Sequence, residues 1–399
     1  LYIIIFFTAP FITEFYDTPQ LVSVLRVISL TLFCQAFASV RTAAISRAMR
    51  FRTLCVCTLI STVLSSVIGI IMAVYGFEVW ALVYQQLSYQ LILTILLMFA
   101  VRIKFKFKIS KQSTKDLVPP SLKILSSSLL SFVGDSFYSI AIGKVYSMEE
   151  LGYYDKGSLF PRNFALYTFS AVSNVFLPVF ASYQKDYNEL NRVFRRVLNV
   201  SFYIIIPMMA GLCMIAEPLI SVILTDKWLP AIGVLRWSCL YYAATPIFLA
   251  CVQLNFAIGR NSVRIRAEVI RLILMVALFF VMFYLKVDVT TISATLAGVQ
   301  VLMTIYLLIE THIATKFKLT DMLKDFIPTI LISGIMCGII FCINLSSLSN
   351  VVLLILDVLA GIIIYVLLSF ITKNKAFKEC LGMLKTLIKF KDKKDSENV

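Results

Sequence analysis

Runs of about 17 to 25 apolar residues follow one another along this chain almost without pause. An α-helix of that length crosses a hydrocarbon core of about 30 Å at about 1.5 Å per residue. The composition agrees: 60% of residues are hydrophobic, 15% are charged and the mean hydropathy is +0.89, where a soluble domain is roughly half apolar and a quarter charged. An all-α polytopic membrane protein is the fold class expected.

The spacing predicts eleven whole spans, at about 20–40, 54–74, 78–101, 117–141, 157–181, 198–224, 231–257, 268–285, 289–309, 326–345 and 350–371, after a partial one over 1–13. The chain opens on Leu1 within an apolar run, with no charged region or cleavage site of a signal peptide. A fragment lacking its N-terminus is expected.

Basic residues orient the spans, because short loops rich in Lys and Arg stay cytoplasmic. Most of the 37 basic residues fall in one alternating set of connections: Arg41 to Arg52, Arg102 to Lys115, Lys185 to Arg196, Arg260 to Arg271, Lys316 to Lys324, and the tail from Lys373. The opposite connections hold only Lys144, Lys156, Lys227 and Lys286. The net charge of +15 is therefore mainly a topology signal facing anionic lipids on the cytoplasmic side, and it requires no nucleic-acid partner.

Six spans separate two similar stretches, "APFITEFYDTPQLVSVLR" (9–26) and "AEPLISVILTDKWLPAIGVLR" (216–236). Pro10 answers Pro218, Asp17 answers Asp226, and Val24-Leu25-Arg26 answers Val234-Leu235-Arg236. Each copy runs from one span across an outside turn into the next, in the same orientation. Two six-helix lobes related by an axis along the membrane normal are expected, a transporter arrangement. The domains follow: 1–101 an incomplete first lobe (helices 3–6, with about 2.5 helices missing), 102–116 a cytoplasmic linker, 117–309 the second lobe (helices 7–12), 326–371 helices 13 and 14, and 372–399 a basic cytoplasmic tail.

With that organisation, the segments "GKVYSMEELGYYDKGSLFPRN" (143–163), "NVFLPVFASYQKD" (174–186) and "GRNSVRIRAEVIR" (259–271) make the chain resemble the Wzx-type polysaccharide flippases. These serve bacterial O-antigen, capsule and exopolysaccharide synthesis within the multidrug/oligosaccharidyl-lipid/polysaccharide exporter superfamily. The resemblance implies a multi-pass protein of the bacterial inner membrane with its C-terminus in the cytoplasm. Its substrate would be a polyprenyl-pyrophosphate-linked oligosaccharide, moved between leaflets by alternating access, and polysaccharide-assembly proteins would be its partners.

Such a substrate needs a wet site with cations for phosphate and hydroxyls or amides for sugar. The substrate-binding candidates are Arg162, Lys123, Arg26 and Arg236. The resemblance implies a cavity-facing cation on helix 8, where Arg162 stands; its alternative is a salt bridge to Asp155, two turns earlier on the same face. Arg26 and Arg236 lie about 9 Å below the outside end, placed either to line the cavity or to snorkel to the interface. Asp135 is the ion-coupling candidate, for H+ or Na+, with pairing to Lys144 or Arg162 as the alternative.

Smaller features carry expectations of their own. "LGYYD" (151–155) is expected to turn into helix 8 with Asp155 as its cap, and Glu217-Pro218 to kink helix 9. Tyrosines such as Tyr138, Tyr154, Tyr241 and Tyr242 are expected mostly as interfacial anchors, with one or two stacking on sugar. The tail, with Phe377, Leu381, Leu384 and Leu387 at helical spacing, is expected to lie along the inner leaflet.

Enzyme chemistry finds little footing. His312 is the only histidine, the nine cysteines show no zinc spacing, and no GxxxxGK[ST] loop appears. No cofactor or metal is expected. Two rival functions stay open: an ion-coupled drug or metabolite antiporter of the same superfamily, and a polysaccharide polymerase or ligase, which would need a sizeable outside loop with catalytic residues.

Overall fold

A computed structural model describes residues 2–16, 18, 20–47, 50–101, 136–183, 186–346 and 348–380, with the isolated positions 118, 132 and 382. The expected linker at 102–116 lies outside them. Among the described residues there is no strand, and nine helices are long and apolar enough to cross a membrane. The protein is an all-α, multi-pass membrane protein. By internal contacts it forms two units, Leu1–Val133 and Gly134–Val399.

The first unit contains α1 (Tyr2–Tyr16), α2 (Leu21–Ile28), α3 (Thr31–Arg47), α4 (Phe51–Val74) and α5 (Val79–Ala100). On α4 the buried residues Cys57, Ser61, Ser65 and Gly69 repeat every four positions. A stripe of small side chains lets two backbones approach in a solvent where apolar burial gives no drive between helices. α5 takes that place: a Cβ on Gly69 would lie 3.0 Å from Cβ of Gln85. The stripe hydroxyls close on their own helix, Ser61 donating to the Cys57 carbonyl at 2.7 Å. Thr94 of α5 donates to the Cys34 carbonyl at 3.0 Å and so ties α5 to α3.

The second unit begins with α6, described over residues 136–145, and continues with α7 (Met148–Ser182), α8 (Tyr187–Met214), α9 (Ala216–Leu224) and a 3-10 turn (Asp226–Ala231). Then follow α10 (Ile232–Ala257), α11 (Asn261–Leu285), α12 (Val289–Thr315), α13 (Leu319–Asn344), α14 (Asn350–Ile371) and a short α15 over 375–380. α10 is the central helix and packs on α7, α12 and α8. Glycines set two of those approaches. A Cβ on Gly157 of α7 would meet Val234 at 2.7 Å and the Ala231 carbonyl oxygen at 2.8 Å, and one on Gly233 would meet Thr290 at 2.6 Å.

α13 lies against α8, where Phe202 and Phe326 stack with centroids 3.7 Å apart. At the end of this pair Arg195 of α8 ion-pairs with Asp325, and its Nη2 donates to Asp325 Oδ1 at 2.9 Å. Asp325 is 14% exposed, and charge-assisted bonds of this kind contribute roughly 1.5–3 kcal/mol. Asp325→Ala is expected to lower stability by about 2 kcal/mol in denaturant titration of the solubilised protein, and Asp321→Ala, whose oxygen lies 3.5 Å from Arg195, by less.

Several boundaries differ from the sequence expectation. "LGYYD" is no turn: α7 starts at Met148 and carries Asp155 in its interior. The cap is Ser147, whose Oγ accepts from the Glu150 amide at 3.1 Å, and Ser147 with Glu150 three residues on is a capping-box pattern. Ser147→Ala is expected to cost about 1 kcal/mol, read as a lower unfolding midpoint.

The expected kink at Glu217-Pro218 is a full break. α8 ends at Met214 and α9 begins at Ala216. Proline lacks the amide proton, and its ring clashes with the carbonyl four residues back, which is that of Met214. α11 starts at Asn261, so Arg264, Arg266 and Arg271 stand on its first turns and not in a loop.

The tail begins by docking on protein. Ala376 is fully buried, Phe377 packs toward Tyr203, and Glu379 pairs with Arg196 at 3.4 Å. Burial raises the Glu379 carboxyl above its usual range, while Arg196 pulls the other way. Leu381, Leu384 and Leu387 lie outside the described residues.

Candidate functional site

In the first unit the notable cation is Arg26, at the end of α2. Its guanidinium stands 4.1 Å from the centroid of the Phe6 ring of α1, a cation–π contact that steadies a charge where water is scarce. Among the described residues its Nε is buried without a hydrogen-bond partner. Its neighbours Leu25, Ile28 and Ser29 line a cleft of about 550 Å³ whose other polar walls are Thr31, Gln85 and Gln86.

In the second unit, charge and hydroxyls gather where α6, α7, α10 and α11 meet. Arg271, on the third turn of α11, is 8% exposed. Its Nη2 lies 2.9 Å and its Nε 3.0 Å from Glu268 Oε2, one turn earlier. Its Nη1 donates to the Tyr241 hydroxyl of α10 at 3.5 Å. Tyr241 and Tyr242 set their rings edge to face at 5.0 Å. Tyr154 of α7 lies within electrostatic reach of Tyr241, Tyr242, Asp155 and Tyr138.

Asp155 accepts from the Ser139 hydroxyl of α6 at 3.5 Å and feels the charges of Arg162 and Lys156. Tyr138 closes the group from the apolar side. It is 2% exposed, donates to the Met275 carbonyl at 2.9 Å, and meets Phe137 and Phe279 edge to face. Two carboxylates, three cations and four phenols thus share one region of one unit, a mixture able to take a polar, anionic ligand by charge-assisted bonds and ring stacking.

The residues proposed from sequence fall unevenly on this frame. Arg162 stands on α7 with its side chain exposed, electrostatically coupled to Asp155 but not ion-paired with it among the described residues. Arg236 is exposed on α10, so the two arginines of the repeat have different surroundings, Arg26 lying over a ring. Lys123 and Asp135 lie outside the described residues.

Tyr138 is a buried structural donor and not an interfacial anchor. Arg271 escaped the sequence reading because it was grouped with the inside loop after Arg260. The pattern Glu268-x-x-Arg271 at helical spacing, ahead of an apolar run, was the signal available.

Known proteins match this chain in sequence and in fold. "Succinoglycan biosynthesis transport protein ExoT" of Rhizobium meliloti (strain 1021) is 26% identical over 223 residues, 55% of this chain and 45% of that protein. "Teichuronic acid biosynthesis protein TuaB" of Bacillus subtilis (strain 168) is 23% identical over 238 residues, 59% of this chain and 49% of that protein. An "uncharacterized membrane protein in cps region" of Klebsiella pneumoniae is 21% identical over 273 residues, 67% of this chain and 56% of that protein.

The matched stretches thus span about half the length of these relatives. Among solved structures, "Lipid II flippase MurJ, inward closed conformation" shares the fold with a TM-score of 0.71, covering 93% of this chain and 80% of that one at 17% identity. The family described as "Polysaccharide biosynthesis protein" matches residues 1–233, more than half of the chain. The chain belongs to the polysaccharide biosynthesis protein family.

Proposed function

We propose that the chain is a flippase. It carries a polyprenyl-pyrophosphate-linked oligosaccharide from the inner to the outer leaflet of the bacterial inner membrane by alternating access, without enzymatic chemistry. The observation that carries this reading is the polar group built around buried Arg271, with the half-buried Glu268, Tyr154, Tyr241 and Tyr242 and the exposed Asp155, set among membrane-crossing helices. Charge in that solvent is costly unless it serves a polar cargo or a partner. A relative that is a succinoglycan biosynthesis transport protein, and the fold shared with a lipid II flippase, support the same reading.

In this proposal Arg162 and Arg271 meet the pyrophosphate or its sugars, Arg26 and Arg236 serve the same cargo at other points, and Lys123 and Asp135 keep their roles in binding and coupling. The domain reading of helices 3–6 over 1–101, a linker at 102–116, a second lobe over 117–309 and helices 13–14 over 326–371 belongs to it too. So do a cytoplasmic C-terminus and a basic inner face against anionic lipid, an H+ or Na+ gradient as the energy source, and polysaccharide-assembly proteins as partners.

The leaflet that holds the lipid-linked oligosaccharide in cells deleted for the gene tests this directly, probed in spheroplasts with an impermeant glycosidase. Accumulation on the inner leaflet, relieved by the wild-type chain and not by Arg162→Ala, is the expected result. Unpolymerised units on the outer leaflet would reverse the assignment in favour of a polymerase. Normal distribution with altered drug tolerance would favour the antiporter.

A further inference from the structure

α14 presents one stripe to the protein. Leu353, Asp357, Gly361, Tyr365 and Ser369, four apart, are its buried residues, while Ile355, Leu356, Val358, Leu359, Ile362 and Ile363 are exposed on the remaining face. The stripe is docked at both ends: Asn350 donates to Ser221 of α9 at 3.0 Å, and the Tyr365 hydroxyl donates to the Tyr203 carbonyl of α8 at 2.7 Å. Between them Gly361 faces α13, where a Cβ would make ordinary contact with Ile340 at 3.4 Å and Met336 at 3.8 Å. One turn before that contact the stripe carries a carboxylic acid.

Asp357 is 1% exposed, and among the described residues neither of its oxygens has a hydrogen-bond partner of acceptable geometry. It stands seven residues inside α14, about 10 Å along the helix at about 1.5 Å per residue. Asn344, at the end of α13, is the polar side chain that interacts with it.

α13, α9 and α8 pack on α14. Their titratable groups toward this end are Cys337 and Cys342 on α13, the exposed Glu217 on α9 and Cys213 on α8; Tyr203 of α8 belongs to the Tyr365 contact further along. The charged side chains of α8 and α13, Glu189, Arg192, Arg195, Arg196, Asp321, Lys324 and Asp325, stand at the opposite end of those helices. Among the described residues no Lys, Arg or His forms an ion pair with Asp357.

A carboxylate buried in a low-dielectric interior with one neutral amide beside it and no cation paired to it takes up a proton in preference to remaining charged. We propose that Asp357 is a proton-binding site of the α13–α14 pair, held as the neutral acid while the helices stay packed and released to water when they part. Asn344 suits both states, its carbonyl oxygen accepting from the acid and its amide donating to the carboxylate. The site lies outside the cluster on α6, α7, α10 and α11 and does not depend on the identity of the cargo.

The test uses the purified chain in lipid nanodiscs at about pH 8, some four units above the ordinary aspartate value. The infrared spectrum is expected to contain a protonated-carboxyl band that Asp357→Asn, an isostere of the neutral acid, lacks. An independent readout on the wild type alone is reaction with a hydrophobic carbodiimide, which requires a protonated acid. The Asp357 peptide is expected to carry the label by mass spectrometry, and the peptide of exposed Glu217 is not. Either signal supports the site, and absence of both overturns it. Neither measurement needs a lipid-linked substrate, so failure of the flippase reading would leave this result standing, and the reverse.

Discussion

Replacing Gly157 by leucine is expected to abolish accumulation of folded protein. The position faces α10 at its start, where a single added carbon would stand 2.8 Å from the Ala231 carbonyl oxygen and 2.7 Å from Cβ of Val234. Backbone cannot be moved as a flexible side-chain end can, so the α7–α10 contact must open. Overpacking of a tight contact costs about 1–3 kcal/mol for small additions, and Gly157→Ala is expected near the upper end of that range.

Leucine adds three further carbons in the same place. Gly298→Ala is the control: it lies within α12 with nothing inside 4 Å of the added carbon, and should be neutral or gain about 0.5–1 kcal/mol, because glycine is a poor helix former. Fluorescence-detected size exclusion after a temperature ramp separates the three. A Gly157→Leu protein as heat-resistant as wild type would contradict the packing described.

Loss of Arg271 should have the second largest effect, and on two readouts. The side chain is 8% exposed and reaches Glu268 with two nitrogens and Tyr241 with a third. Removing one member of a buried pair leaves the other charged in a poor solvent, at roughly 3–5 kcal/mol for full burial. Glu268 keeps 28% exposure, so about 2 kcal/mol is expected for Arg271→Ala.

Arg271→Ala with Glu268→Gln should recover much of that stability, because no orphaned charge remains. If the arginine also meets the cargo, the double variant recovers folding and not leaflet exchange. Arg271→Lys keeps the charge without the planar fork and should retain only part of the exchange. Recovery of both readouts in the double variant would make the pair structural.

The membrane class was legible from residue counting, since the apolar runs could belong to nothing else, and their ends mostly agree with the helices. The errors came where a helix leaves the apolar run. α7 begins nine residues before its expected span because a capping box at Ser147 and Glu150 outweighs the apparent turn at Gly152. α11 begins seven residues early, which places Arg264 and Arg266 on the helix; Arg271 already lay inside the expected span at 268–285, and packing decided that it is buried.

Sequence alone determined that these helices cross a membrane and that the helix is disturbed near Pro218, though as a break where a kink was expected; each follows from local chemistry. Only the tertiary structure decided which polar residues meet. Arg271 and Tyr241 are thirty residues apart, and nothing in either segment names the other. Arg26 and Arg236 occupy matched places in a repeat, yet one lies over Phe6 and the other is exposed. Asp357 is a single carboxylate on an apolar helix, and whether it faces lipid, water or protein depends on how α14 is turned. That rotation is held by Tyr365 against Tyr203 and by Asn350 against Ser221, contacts between residues far apart along the chain.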